Sequence, residues 1–207
     1  MTNDRESQLA TYFDDCAREG DLTEFDADEQ RRLDAFLELW RIEAGDRILE
    51  PGCGTGRLTR VLSEAVGSGG RVLAMDISAE MVDRARARGL PDSVDVSLGS
   101  VLRVPSGDDS FDKVLCLNVF PHFSDRGAAL RGFARVLRDG GDLWINHFAS
   151  REAINEFHHG CDPSVRDHLI PSDDEVRALV EDAGFEVVSH DDDDPGYRLH
   201  AVRRPRV

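Results

Sequence analysis

The segment Ile48-Leu49-Glu50-Pro51-Gly52-Cys53-Gly54-Thr55-Gly56 joins an apolar run, an acid and three glycines on alternate positions. This grouping predicts a buried strand that stops, a sharp turn, and a helix beginning near Arg57. Glycine permits backbone angles closed to other residues and lets a ligand approach the main chain. The helix start then offers free N–H groups. Twenty residues after Gly56, the apolar run Arg71–Asp76 also ends in an acid. A carboxylate at the end of the neighbouring strand can take both hydroxyls of a ribose. The two strand ends together describe a pocket for a nucleoside.

Dinucleotide folds use the spacing G-x-G-x-x-G, whose third glycine packs helix on strand. Here the spacing is G-x-G-x-G, and Arg57 stands where that last glycine would fall. Glu50 precedes the turn. A carboxylate there repels a pyrophosphate, which seeks N–H donors and the positive end of a helix dipole. It suits a cationic amino-acid group instead. The segment resembles motif I of the class I S-adenosylmethionine-dependent methyltransferases, in the form E/D-x-G-x-G-x-G. The resemblance runs from about Asp46 to Gly141 and more loosely to the C-terminus. It is nearest to the ubiquinone/menaquinone-biosynthesis type, a broad group with many acceptors.

The resemblance implies S-adenosylmethionine as methyl donor and a small-molecule acceptor. It implies that Glu50, Gly52, Cys53 and Gly54 hold the donor at the first strand end, with Asp76 on the ribose. Ile77 would press on the adenine face, and Met81 either touches the same ring or belongs to the core. After the third strand relatives often read G-D-A, the acid accepting the adenine amino group. This chain has Gly99-Ser100-Val101. The Ser100 hydroxyl would accept that bond more weakly than a carboxylate, with the Val101 N–H donating to the ring. Asn118 opens the segment Asn118–Phe123, which in the family lines the space between sulfonium and acceptor.

Methyl transfer from a sulfonium is an in-line displacement, so the protein must align the nucleophile and can remove a proton. Of the seven histidines, His122, His147, His158 and His159 fall after the fourth and fifth strands. Asn155 and Asp167 map to the same region. His122, His147 and His158 are the candidate catalytic groups, as a general base poised near neutrality. A zinc or iron site is the alternative use of such imidazoles. No recognised metal spacing is present, so no metal is expected. Adjacent helical residues diverge by about 100°, so His158 rather than His159 shares the face of Ile154. His168, His190 and His200 read as surface or core.

The elements that must position these groups follow from periodicity. Helices are expected over 5–20 and from about Asp26, the latter with Leu33, Phe36, Leu37 and Trp40 on one side. Five strands, Arg47–Glu50, Arg71–Asp76, Val94–Leu98, Phe111–Leu117 and Asp142–Phe148, then alternate with helices at Arg57–Val66, after Ser78, and over Asp125–Leu137. Asp139-Gly140-Gly141 should close the last of these. A helix over Ser172–Ala183 precedes a hairpin whose arms are Phe185–His190 and Tyr197–Arg203, with Asp191–Gly196 as the turn. The expected class is α/β, a doubly wound, mainly parallel seven-stranded sheet with helices on both faces and a C-terminal antiparallel hairpin. We expect one domain over 1–207. Residues 1–44 would form a helical lid, 46–148 the cofactor core, and 149–207 the acceptor side. Tyr12 and Phe13 either close over the methionine end or pack their helix.

Composition bounds the rest. Twenty-five basic against 41 acidic residues give a net charge of −16, and Lys113 is the one lysine. Scattered acids self-repel at low salt and are screened at high salt. A halophilic source and a generic acidic protein both fit. No polyanionic partner is expected, hence no nucleic acid. There is no apolar run of about 18 residues, so no membrane span. The polar N-terminus lacks the form of a secretory leader. Cys16, Cys53, Cys116 and Cys161 have no C-x-x-C spacing and read as reduced thiols of a cytoplasmic protein. Three rivals stand beside the small-molecule methyltransferase: a nucleic-acid or protein methyltransferase, a non-catalytic binder of the donor, and a nicotinamide oxidoreductase.

Overall fold

A computed structural model describes residues 4–20 and 23–206. The chain divides into two units, residues 1–101 and 102–207. The seven expected strands are all present among the described residues, three in the first unit and four in the second.

The first unit opens with two helices, α1 (Asp4–Glu19) and α2 (Ala27–Trp40). Asp26 starts α2 through a reciprocal capping box: its carboxylate accepts the Asp28 and Glu29 N–H groups while Glu29 reaches back to the Asp26 N–H. Such caps satisfy helix donors that otherwise lack partners. Leu33, Phe36 and Trp40 form the buried stripe of α2, while Leu37 stays half-buried. Strand β1 (Arg47–Pro51), helix α3 (Arg57–Val66), strand β2 (Arg71–Asp76), helix α4 (Ala79–Arg86) and strand β3 (Val94–Leu98) follow. Order in this part of the sheet is β3-β2-β1, all parallel, with Glu50 opposite Ala74 and Asp76 opposite Leu98. That register brings Glu50, Asp76 and Leu98 to one sheet edge, where ligands of such sheets sit. Leu58, Leu62 and Val66 recur every four residues along α3 and are buried. Each buried side chain of this kind contributes about 1.5–3 kcal/mol.

The second unit contains β4 (Phe111–Leu117), α5 (Arg126–Val136), β5 (Leu137–His147), α6 (Arg151–His159), α7 (Asp173–Asp182), β6 (Phe185–Asp193) and β7 (Gly196–Arg203). Its strand order is β4-β5-β7-β6. β4 and β5 are parallel, whereas β7 runs antiparallel to both β5 and β6.

Two boundaries differ from the sequence reading. β5 begins at Leu137 rather than Asp142, directly after α5. Leu137 pairs with Phe111, and the Arg138 guanidinium binds Asp112 at 2.7 Å, so pairing starts before the glycines. Gly140-Gly141 then forms an irregularity inside the strand rather than its start. The acidic run is also strand rather than turn. Asp191–Asp193 belong to β6, and only Asp194 and Pro195 turn. The reason lies in the partners: Asp193 pairs with Arg198 across the hairpin at 2.6 Å, and Asp192 accepts the Arg151 N–H at the start of α6. These contacts offset the repulsion that suggested a solvated loop.

Candidate functional site

In the first unit the glycine turn is built on β2. The Gly52 and Cys53 N–H groups both donate to the Met75 carbonyl, at 2.7 and 3.0 Å. Gly54 and Gly56 have positive φ, 54° and 79°. Gly56 also meets α4 closely, since a Cβ there would lie 3.0 Å from that of Ala85. The third glycine therefore performs the helix-packing task, with no room for a side chain. Arg57 turns away from the loop. It pairs with Glu29 at 2.9 Å and lies over the Phe25 ring at 4.4 Å.

Asp76 joins the two strand ends. One carboxylate oxygen accepts the Gly54 N–H and the other the Ser78 N–H, each at 2.9 Å. A carboxylate has about four acceptor positions, so it holds the loop in shape and keeps capacity for a ligand's hydroxyls. Burial raises its pKa against these N–H bonds. Ile77 beside it is half-buried, and Met81 is buried on α4.

Glu50 is used differently from a simple surface acid. It is buried, accepts the Thr59 hydroxyl of α3 at 2.7 Å, and burial pushes its pKa up to about 8. The nearby Asp76 charge adds to that rise. At neutral pH its carboxyl therefore stays largely protonated. Cys53 is buried between these acids, and burial lifts its thiol well above the ordinary range. None of the four cysteines forms a disulfide.

Helix α1 reaches the ends of β2 and β3. Asp14 accepts the Ser78 hydroxyl at 2.5 Å and the Glu80 N–H at 3.0 Å, at the start of α4. Ser100 donates its hydroxyl to Glu6 at 2.5 Å. Glu6 is 7 % exposed. Val101 is buried and begins a short 3-10 turn. Neither Glu6 nor Asp14 stood out in the sequence, because an acid in an acidic helix carries no distinguishing pattern.

In the second unit three of the singled-out histidines meet, together with one read as surface or core. His122 Nδ1 lies 3.1 Å from His168 Nδ1. The His122 ring centroid is 5.0 Å from that of His158. His147 ends β5 and packs edge-on against Tyr197. His158 is buried on α6 while His159 is exposed, as the helical face required. The sequence offered no way to add His168, since it depends on how the 160–170 segment folds back. Asn155 pins that segment by bonding both the N–H and the carbonyl of Ile170. Arg126 donates to the Pro121 and Leu169 carbonyls, tying the His122 turn to the same segment. Asn155 is thus a strut, and Asp167 is exposed.

Burial holds the His122 imidazole well below its usual pKa, aided by neighbouring His158, His168 and His147. His147 falls to about 3 for the same first reason. His158 shifts down by desolvation as well. His122, His147 and His158 are therefore neutral at pH 7. His147 Nε2 and His158 Nδ1 are buried without a protein partner. Among the described residues no group of three or more His, Cys, Asp or Glu converges to hold a metal ion. Asn118 caps β4 with φ 54°. Its side-chain oxygen accepts the Phe148 N–H at 3.0 Å, and its own N–H bonds Asn146 at 2.9 Å. It shapes the β4 and β5 ends and is itself exposed.

Comparison with known proteins agrees with this arrangement. Residues 49–145 match the family described as methyltransferase domain. The chain is 30% identical over 168 residues to methyltransferase GfsG of Streptomyces halstedii, covering 77% of this chain and 59% of that protein. It is 32% identical over 179 residues to the ubiquinone/menaquinone biosynthesis C-methyltransferase UbiE of Stenotrophomonas maltophilia, covering 73% and 70%. A chain of the Haloferax volcanii complex between the Trm112 methyltransferase activator and a methyltransferase shares the fold. It has a TM-score of 0.74 and 24% identity, over 94% of this chain and 98% of that one. The glycine turn, the acid at each strand end and these matches converge on one conclusion: the chain belongs to the class I S-adenosylmethionine-dependent methyltransferases.

Proposed function

We propose that the chain is an enzyme that methylates a small molecule, taking the methyl group from S-adenosylmethionine. The observation that supports this most is the Asp76 bridge from the end of β2 to Gly54, which holds the turn open for a nucleoside. Bound there, the donor supplies an electrophilic methyl on a sulfonium. Asp76 accepts the ribose hydroxyls through its remaining lone pairs. Gly52, Cys53 and Gly54 present backbone to the amino-acid end, with Glu50 as its buried counter-charge. Ile77 and Met81 line the adenine, with Ser100 and Val101 at its edge.

The second unit serves the acceptor. His122, His147 and His158 are neutral, so they receive an acceptor that is uncharged or weakly acidic. His158 takes the proton that leaves as the new bond forms. His147, at a pKa of about 3, is too weak a base for that step and orients the acceptor by a hydrogen bond. Residues 1–44 act as the lid, 46–148 as the donor core and 149–207 as the acceptor side of one domain. The acidic composition fits a cell interior rich in salt and an acceptor other than nucleic acid.

Calorimetric titration with S-adenosylmethionine, S-adenosylhomocysteine and NADH tests the donor half. Tight binding of the first two and none of the third is expected, and the reverse would sink it. A panel of phenols, enols and hydroxylated polyketides, followed for transfer of a labelled methyl, tests the acceptor half. The non-catalytic reading gains if the donor binds and no panel member is turned over.

A further inference from the structure

The turn between β2 and α4 is gripped from two sides. Ser78 is fully buried and caps α4, its hydroxyl oxygen accepting the Met81 N–H at 3.1 Å. Its own N–H donates to Asp76 at 2.9 Å, and its hydroxyl proton goes to Asp14 of α1 at 2.5 Å. Asp14 also accepts the Glu80 N–H at 3.0 Å. The first turn of a helix leaves several N–H groups without intrahelical partners. In α4 one goes to the cap residue, and another to a side chain 66 residues earlier in the chain. Asp14 is therefore a second cap for α4, supplied by a different helix. A carboxylate suits that place, since it takes charge-assisted bonds at the positive end of the helix.

These contacts run on into the nucleoside pocket. The Gly54 and Ser78 N–H groups engage the two oxygens of Asp76. Ile77 lies between Asp76 and Ser78, so both of its neighbours are fixed. Gly54, Asp76, Ser78 and Asp14 thus form one continuous line of hydrogen bonds from the glycine turn to α1. Arg18 lies 3.9 Å from both Asp14 and Glu80, but its side chain is more than half exposed. Exposed pairs of that kind contribute little, so the link rests on the Asp14 carboxylate. Without it the buried Ser78 hydroxyl has no acceptor, and a buried hydroxyl left unpaired is costly. The turn then shifts to satisfy it, and Asp76 and Ile77 move with Ser78.

We infer that Asp14 is a positioning residue for the methyl donor: it holds the Asp76–Ser78 turn from outside and links the docking of α1 to the filling of the nucleoside pocket. This rests on the proposed donor site and adds a control point to it. Asp14 acts through Ser78, which carries the effect to Asp76 and Ile77. Coupling of this kind is reciprocal. If undocking α1 weakens the donor about tenfold, the bound donor makes undocking about tenfold rarer.

Calorimetric titration with S-adenosylhomocysteine and hydrogen exchange of the α1 amides test this together. Asp14→Ala should weaken binding about tenfold, the size of one hydrogen bond to a charged group. Asp14→Asn keeps an oxygen that can accept both bonds and should bind within about threefold of the wild type. In the wild type, saturating S-adenosylhomocysteine should slow exchange of the amides around Asp14 roughly tenfold. In Asp14→Ala that slowing should vanish. Thermal melting establishes that each variant is folded. A role confined to stability would lower the melting temperature of Asp14→Ala and leave the affinity of the folded protein unchanged. That result overturns the inference and leaves the donor site standing. A wild-type chain that binds no S-adenosylhomocysteine overturns both. If Asp14→Ala does not fold, exchange in the wild type decides: no slowing around Asp14 on binding rejects the link.

Discussion

Both units bury ionisable side chains at the ends of their strands, but of opposite kinds. In the first, burial pushes Glu50 up to about 8 and raises Asp76. In the second, burial pushes His147 down to about 3 and lowers His122 and His158. Both sets are thereby driven toward neutrality by one cause, the loss of water around a charge. The consequences run in opposite directions. The acids hold on to a proton, and the imidazoles resist taking one up.

The contrast can be broken first at Asp76. Asp76→Ala removes the bridge and the ribose acceptors, and donor affinity should fall at least ~100-fold, about two charged hydrogen bonds' worth. Unchanged affinity by calorimetry would refute the assignment. At the other pole, His158→Gln should lower kcat roughly 100-fold or more while leaving the donor Kd unchanged, as expected for a lost general base. An equal loss in donor affinity would mean that the residue is structural.

Stability against pH sharpens the comparison, and the two signs differ. Glu50 is raised from its ordinary 4.5 to about 8. Its contribution is complete below about pH 4.5 and is lost as the pH climbs through about 8, because the native state keeps a proton that the unfolded chain releases. Glu50→Gln should therefore melt higher than the wild type at pH 9 when no donor is present. Its proton release on donor binding, measured across buffers of different ionisation enthalpy, should disappear. The depressed histidines act in reverse. Their contribution is present above the ordinary 6.5 and is lost as the pH falls from there toward about 3, the value for His147. Each such group adds up to about 1.4 kcal/mol per pH unit. His147→Leu should flatten the acid limb of the melting profile and leave the alkaline limb unchanged. The smallest effect concerns the whole surface. At a net charge of −16, molar KCl should raise the melting temperature by a few degrees through screening. No rise would remove the halophilic reading.

The donor half was readable from sequence because its chemistry is local. Gly52, Gly54 and Gly56 lie within five residues, and the acids fall at strand ends that periodicity locates. Strand and helix positions through β4 followed for the same reason. The histidine cluster depends on folding back. His168 joins His122 only because Asn155 and Arg126 anchor the intervening loop, contacts spanning 15 and 43 residues. Glu6 meets Ser100 across 94 residues. The acidic run misled because four consecutive aspartates read as solvated, when cross-strand arginine and a helix start absorb them. Start and stop residues such as Ser78, Ser150 and Ser172 mark helix ends but carry nothing about which histidines will share a pocket.

Gly196 sits at the first position of β7, and a side chain there would collide with the carbonyl of His147. The hairpin tip thus abuts the main chain that carries a buried imidazole at the end of β5. A side chain in place of Gly196 would press on the backbone of His147 and Phe148, within the second unit. The bend at Asp194 and Pro195 therefore sets the spacing at the end of β5 without itself belonging to the sheet core.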